Sequence, residues 1–376
     1  MARPYKERGN KLYRFLDRYV GIPLLYVAAL CRIRIPSIPQ KPKRIGILKT
    51  SCIGDTVLLD AISRDLRGAW PQARQIFFAG RDNSRIADLL EEIDAVIVLP
   101  MHRPWAAAKR IYEAGTFDLW LDFSQWARID ALLTMVARAK YKVGFKTPKQ
   151  YRHYGYDISV EHRHDLHEVD NYRNLVNVLG VGGQALPVLR GDSHLEGTIS
   201  NLGADVPYVV LHMFPGGSRA YMKEWPRENW LKVALFCLSR GWAVVLTGGG
   251  GDYERAQDFA NELCSKEMVV NLAGYLPLEQ LPSLLGKSKL VVSIDTGVMH
   301  MASAVGSRLI AIHGPTSPLR WGPLNSNAKV IRIENLTCSP CLHLGFEYYC
   351  DSNYCMQNIS AEIVIDVIKS KCSAEC

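Results

Sequence analysis

No apolar run in these 376 residues reaches the ~20 that a membrane-spanning helix needs. No Asp-x-Asp pair occurs either, so the usual carboxylate clamp for a divalent ion on a diphosphate is missing. A Walker A loop is lacking as well. Gly286-Lys287-Ser288 imitates its end, but Leu281 stands where glycine is required. Ten cysteines are too few for a disulfide scaffold in a chain this long, and 29 Gly and 19 Pro with no three-residue period exclude a fibrous protein. What is present is ordinary globular composition, 48% hydrophobic and 22% charged, which excludes wholesale disorder. The net charge of +8 suits phosphates, acidic lipid headgroups or nucleic acid, and no nucleic-acid-binding signature accompanies it. A chain of this size holds two domains of ~150–190 residues.

Residues 11–34 differ from everything after them. An apolar stretch from Val20 to Cys31 is flanked by Lys11, Arg14 and Arg18 on one side and Arg32 and Arg34 on the other. Gly21-Ile22-Pro23 within it predicts a bent or broken helix. A secretory signal, a buried helix hairpin and a segment lying on an anionic membrane all fit, and the last fits best. Residues 1–43 are therefore set apart as a membrane-associating segment. Cys31, Cys52, Cys237 and Cys264 are scattered, as small buried hydrophobes are. Cys338-x2-Cys341 and Cys350-x4-Cys355 instead have metal-like spacing. A structural zinc or iron ion, two disulfides and four reduced thiols remain open.

From Arg44 onward short β-branched runs alternate with amphipathic segments, the pattern of an open α/β protein. Strands are predicted at 44–50, 75–80, 95–100, 118–123 and 141–145, with a helix over Asp55–Ala69. After a Gly-, Pro-, Asp- and Ser-rich linker at 185–206 the pattern restarts at 208–213, 243–248, 268–273, 289–294 and 308–314. Two Rossmann-like, doubly wound domains follow, 44–184 and 207–360, facing a central cleft, with a helix or tail at 361–376. Ligands of such sheets bind at the carboxyl ends of strands, so the loops there carry the chemistry.

In the first such loop, Thr50-Ser51-Cys52-Ile53-Gly54-Asp55, Gly54 is read as the tight turn. Asp55, at a helix N-terminus, is read as a cap or a catalytic base. In Phe214-Pro215-Gly216-Gly217-Ser218-Arg219, Ser218 and Arg219 together with Lys223 offer a diphosphate cradle. A four-glycine loop leads to Glu254, a ribose ligand or an exposed helix-start residue. In Ser293-Ile294-Asp295-Thr296-Gly297-Val298-Met299-His300, a strand ends and a helix begins. The Thr296 and Gly297 amides can meet a phosphate there, with His300 one turn on.

These loops, in this order, resemble glycosyltransferase family 9, the lipopolysaccharide heptosyltransferases, over about Arg44 to Ser360. The most specific parts are DTGVMHMASAVG (295–306) and GPTSPLRWGP (314–323), supported by SCIGDTVL (51–58), KEWPRENW (223–230) and the CSPC…CM pattern (338–356). The resemblance implies the GT-B fold and inverting transfer from a nucleotide sugar, typically ADP-heptose, to a lipid-linked glycan without a catalytic cofactor. It makes Asp55 the base and Lys223 the contact to the donor phosphates. Asp295, Thr296, Gly297 and His300 become the donor motif, and Glu254, less closely matched, a ribose ligand. A cytoplasmic enzyme peripheral at the inner face of the inner membrane follows from this. A catalytically silent glycan-binding protein and a nucleotide-sugar epimerase are the alternatives.

Overall fold

The computed structural model describes residues 5–7, 11–30, 37–191, 202, 206–217, 219–263, 265–344, 346–348, 350 and 352–372. Ser218, Arg32, Arg34, Cys31, Cys264 and most of the 185–206 segment lie outside the described residues. The chain forms two compact units, Glu7–Pro187 and Val188–Cys376, the second joined by the first few residues of the chain.

In the first unit, helices α1 (Lys11–Tyr19) and α2 (Gly21–Leu30) precede a six-stranded sheet. Its strands are β1 (Arg44–Lys49), β2 (Arg74–Ala79), β3 (Ala95–Val98), β4 (Thr116–Asp122), β5 (Arg138–Lys146) and β6 (Ile158–Glu161). They pair in the order β3-β2-β1-β4-β5-β6, all parallel. Parallel strands need crossovers, and the helical stretches between them supply these, among them α3 (Ile53–Ala69) after β1 and α4 (Arg128–Val136) after β4; α5 (Glu168–Asn177) follows the last strand and packs on α3. The central strands are buried on both faces, which is why they read as continuous apolar runs rather than as alternation. Phe78, Phe117 and Trp120 pack edge and face in the core, Phe117 and Trp120 with ring centroids 5.2 Å apart.

The second unit repeats the plan. Strands β7 (Tyr208–His212), β8 (Ala243–Thr247), β9 (Val269–Asn271), β10 (Leu290–Ile294), β11 (Leu309–Ile312) and β12 (Ala328–Ile331) pair as β9-β8-β7-β10-β11-β12, again all parallel. Helices α6 (Arg227–Ser239), α7 (Tyr253–Glu262) and α8 (Gly297–Ala304) follow β7, β8 and β10, and α9 (Ala361–Cys372) closes the unit against α6. Trp225 ties the closing segment down by donating from its indole to Ile359 O at 2.7 Å. Strand β6 escapes the sequence reading, and β12 shows only as a last strand near Ile331. Both are four-residue edge strands, and ISVE and AKVI are too short for their periodicity to stand out.

Both sheets have the strand order of a doubly wound nucleotide-binding sheet, in which the order reverses beside the first strand. The crevice at that reversal lies between the ends of β1 and β4 in the first unit and of β7 and β10 in the second. Every described candidate residue except Glu254 and the four clustered cysteines is carried by a strand end, a loop or the start of a helix bordering one of these two points.

Candidate active site

In the first unit β1 ends on Lys49, whose side chain is only 2% exposed. A lysine cannot stay charged there unpaired. Its Nζ donates to Asp55 Oδ2 at 2.7 Å and to Gln125 Oε1 at 2.6 Å. Burial opposes the charge, but the Asp55 carboxylate, then Cys52 and Glu168, outweigh it and raise the Lys49 pKa. Gln125, on the loop leaving β4, donates from Nε2 to Glu168 at 2.8 Å, to the Tyr172 hydroxyl at 2.6 Å and more weakly to Asp55 at 3.3 Å. Asp55 therefore stands at the switch point, its Oδ2 fixed by a buried ammonium. Asp55 is an acidic residue of the first turn of α3; the residue capping that helix is Cys52, and no side chain caps it.

The turn into α3 differs from the sequence reading. Gly54 lies inside the helix, and the positive φ of 74° falls on Cys52 instead. A residue with a β-carbon there costs about 1–3 kcal/mol, and strain of this kind gathers at functional loops. The loop is held on both sides. The Thr50 hydroxyl donates to Asp130 Oδ1 at 2.8 Å, and a β-carbon on Gly80 would come within 2.0 Å of Thr50 O. Burial, then the nearby Asp122 carboxylate, pushes the Asp130 carboxyl up to about 6, against the pull of Arg152.

In the second unit Lys223 ends a short 3-10 turn, Ala220–Lys223, and reaches Asp295 at the end of β10. Its Nζ lies 3.1 Å from Asp295 Oδ2 and donates to Asp295 O at 3.2 Å. Burial would raise the Asp295 carboxyl. The Lys223 ammonium, then His313, the Thr316 hydroxyl and His300, outweigh it and hold that carboxyl well below the usual range. Thr296 follows as the extended residue before α8, and Gly297 opens the helix. The first α8 amides, whose partners lie outside the helix, and the positive helix end are thus beside Lys223. His300 is buried one turn in. Glu254 is not brought to this group; it stands exposed in the first turn of α7, after the neighbouring strand.

Sequence reasoning missed Lys49, Gln125 and His313. A charged residue ending the buried apolar run Ile45–Leu48 was the signal for Lys49. His313 is fully buried after β11, neither ring nitrogen has a hydrogen-bond partner among the described residues, and burial lowers its pKa.

The four candidate thiols gather under the loop that follows β11. Cys341 N and Leu342 N donate to Pro315 O, each at 2.9 Å, and a β-carbon on Gly314 would meet Cys355 Sγ at 3.0 Å. Burial, then the Cys350, Cys355 and Cys338 thiols, pushes Cys341 up to about 12, and burial with Cys338 and Cys350 pushes Cys355 up to about 11. Cys350 turns its thiol to Ser352 O at 2.7 Å. As placed, no group of three or more His, Cys, Asp or Glu among the described residues is arranged to hold a metal ion. All four are free thiols.

Two doubly wound parallel sheets make up the architecture of the GT-B glycosyltransferases. The fold is matched by a solved structure of Escherichia coli ADP-heptose lipopolysaccharide heptosyltransferase II, with a TM-score of 0.72 at 22% identity, covering 88% of this chain and 99% of that one. A second match is an iron-containing dodecameric glycosyltransferase, TibC, from enterotoxigenic Escherichia coli. Its TM-score is 0.55 at 15% identity, over 90% of this chain and 78% of that one. Among curated proteins, lipopolysaccharide heptosyltransferase 2 of Salmonella typhimurium is 25% identical over 311 residues, 77% of this chain and 88% of its own length. The model of glycosyltransferase family 9 (heptosyltransferase) matches residues 105–348, and the chain belongs to that family. It is a glycosyltransferase.

Proposed function

We propose that the chain moves heptose from ADP-heptose onto a lipid-linked glycan of the lipopolysaccharide-core type, with inversion and without a metal in the chemistry. The observation that carries this reading is the Asp55 carboxylate, fixed by Lys49 and Gln125 at the switch point of the first sheet. The relatives' names supply the donor and the acceptor class. Asp55 takes the proton of the acceptor hydroxyl as that oxygen attacks the anomeric carbon. The bond from that carbon to the diphosphate breaks, ADP departs, and the single displacement inverts the centre. Lys223 and the first α8 amides meet the charge that develops on the diphosphate. Asp295 keeps the lysine aimed. The enzyme would work as a peripheral protein on the cytoplasmic face of the inner membrane. No described helix is long and apolar enough to cross a membrane.

With purified full-length protein and a core-type acceptor, ADP-heptose should be consumed at least about tenfold faster than UDP- or GDP-linked hexoses, a discrimination of ~1.4 kcal/mol. The product should carry the inverted anomeric configuration, and chelator should leave the rate unchanged. Retention of configuration, or loss of activity in chelator that a divalent ion restores, defeats the chemical half. Equal use of UDP-hexoses defeats the donor.

The same reading includes a structural ion at Cys338, Cys341, Cys350 and Cys355, which takes no part in transfer. Supporting it are the gathering of four soft donors under one loop and their x2 and x4 spacing. The thiols must close further than they do here to ligate. About one zinc or iron ion per chain should survive purification in reducing buffer. Cys341→Ser should lower the melting temperature more than it weakens donor binding. Metal analysis finding none, with all four thiols titratable in the folded protein, ends this part of the reading.

A further inference from the structure

The first two helices leave an apolar surface uncovered. On α1, Leu12, Phe15, Leu16 and Tyr19 recur at i, i+3, i+4 and i+7 and form one stripe, each 45% or more exposed. Helix α2, GIPLLYVAAL, has no charged side chain, yet of its described residues only Gly21 and Leu25 are buried. Leu24, Tyr26, Val27 and Leu30 are all exposed. A helix apolar all round belongs inside something, and a patch of this kind is a binding surface.

The opposite side of the hairpin is fastened to the first unit. Asp17 Oδ1 accepts from Arg128 N at 2.9 Å, and the same carboxylate pairs with the Arg128 guanidinium. Leu25 packs fully buried among Ala131 and Tyr156. At ~100° per residue, Asp17 and the half-buried Arg14 each point about 150° away from the centre of the apolar stripe, while the exposed Lys11 and Arg18 stand about 90–110° from it on one flank. The hairpin thus presents an apolar stripe with two exposed cations, Lys11 and Arg18, along one flank, and its acid turned inward. That is complementary to an anionic headgroup layer over hydrocarbon. At about 15 Å, α2 is too short to cross the ~30 Å core, so the hairpin lies in the interface.

Its seat decides what this docking does. Arg128 is the first residue of α4, at the carboxyl end of β4, and its Nε donates to Gln150 O on the loop leaving β5. Gln125, three residues before Arg128, is the side chain that touches Lys49 and Asp55. The hairpin therefore sits on the sheet edge that carries the proposed base.

We propose that the α1–α2 hairpin docks on an anionic lipid bilayer and holds the Asp55 edge of the first sheet at the headgroup plane. A lipid-anchored acceptor then reaches Asp55 without leaving the membrane, at the raised effective concentration that tethering to one surface provides. The acceptor half of this inference rests on the proposed transferase activity; the docking half does not.

The test uses full-length protein, vesicles of phosphatidylcholine with or without phosphatidylglycerol, and the exposed-site variant Phe15→Asp/Val27→Asp. Wild type should float with the anionic vesicles and largely fail to float with the neutral ones, and the variant should bind at least about tenfold more weakly. Its kcat and KM on a water-soluble, delipidated acceptor should match wild type, while KM for the vesicle-embedded acceptor rises about tenfold. Bound protein that transfers nothing to either acceptor supports the docking and removes only the transferase reading. Wild type that ignores anionic vesicles, or a wild-type dimer that the variant dissociates, overturns the proposal. So does a variant whose KM rises equally on both acceptors.

Discussion

Asp55→Asn is expected to lower kcat by about 10³-fold while leaving donor affinity within about twofold, because a positioned general base supplies ~10²–10⁴ in rate. Asn keeps the shape and still offers an oxygen to Lys49 Nζ, so the loop should hold. What is lost is a group able to take the proton of the acceptor hydroxyl. Donor affinity stays because the residues proposed to hold the diphosphate, Lys223 and the α8 N-terminus, belong to the other unit. The substitution also strips Lys49 of its largest charge partner while its burial persists. The Lys49 pKa should then fall, and stability supplied by the ion pair should be lost near neutral pH. For a cation whose folded pKa lies above its unfolded value, that stability is present below the unfolded pKa and is lost as pH rises through the folded one. Melting curves at pH 7 and 11 separate this from catalysis: the gap between wild type and variant should narrow at the higher pH. Single-turnover rates within about threefold of wild type would remove Asp55 as the base, whatever the melting curves show.

The repeated β-branched runs made the two sheets legible, since a parallel sheet covered on both faces leaves continuous apolar segments such as YVVLH and LVVSI. Asp295, Thr296 and Gly297 were legible for a related reason: a polar turn directly after such a run marks the carboxyl edge. Contacts between residues far apart in sequence were not. Lys49 looks like the polar end of a strand until Gln125, 76 residues on, and Asp55 are seen to close around its ammonium. The strained backbone at Cys52 was hidden because Gly54, two residues later, is the residue that sequence rules select for a turn. The hairpin shows a different limit. The sequence of 11–30 displays its apolar and basic content, but Asp17 looks like one more surface charge until Arg128, 111 residues away, turns it inward.

Lys223→Ala should act on binding and chemistry together, raising the donor KM about tenfold and lowering kcat about 10²-fold. The proposed partner of the ammonium is the diphosphate, which gains charge between the bound donor and the transition state, so both parameters must move. A second effect follows from Asp295. That carboxyl is buried, and Lys223 is the leading group holding it ionised. Removing the lysine leaves the charge facing burial with less compensation, which costs about 1–3 kcal/mol of stability. The sign in pH is fixed by the depressed folded value. Stability from such a carboxylate is present above its unfolded pKa of about 4 and is lost as the pH falls through the folded one. The stability gap between Lys223→Ala and wild type should therefore be widest near pH 7 and shrink toward pH 2. The double variant Lys223→Ala/Asp295→Asn separates the two roles. It should recover most of the melting temperature, since the unpaired charge is gone, and none of the rate, since no cation faces the leaving group. Recovery of rate along with stability would show that Lys223 serves only to keep Asp295 folded in place, and the account of the leaving group would then rest on the α8 amides alone.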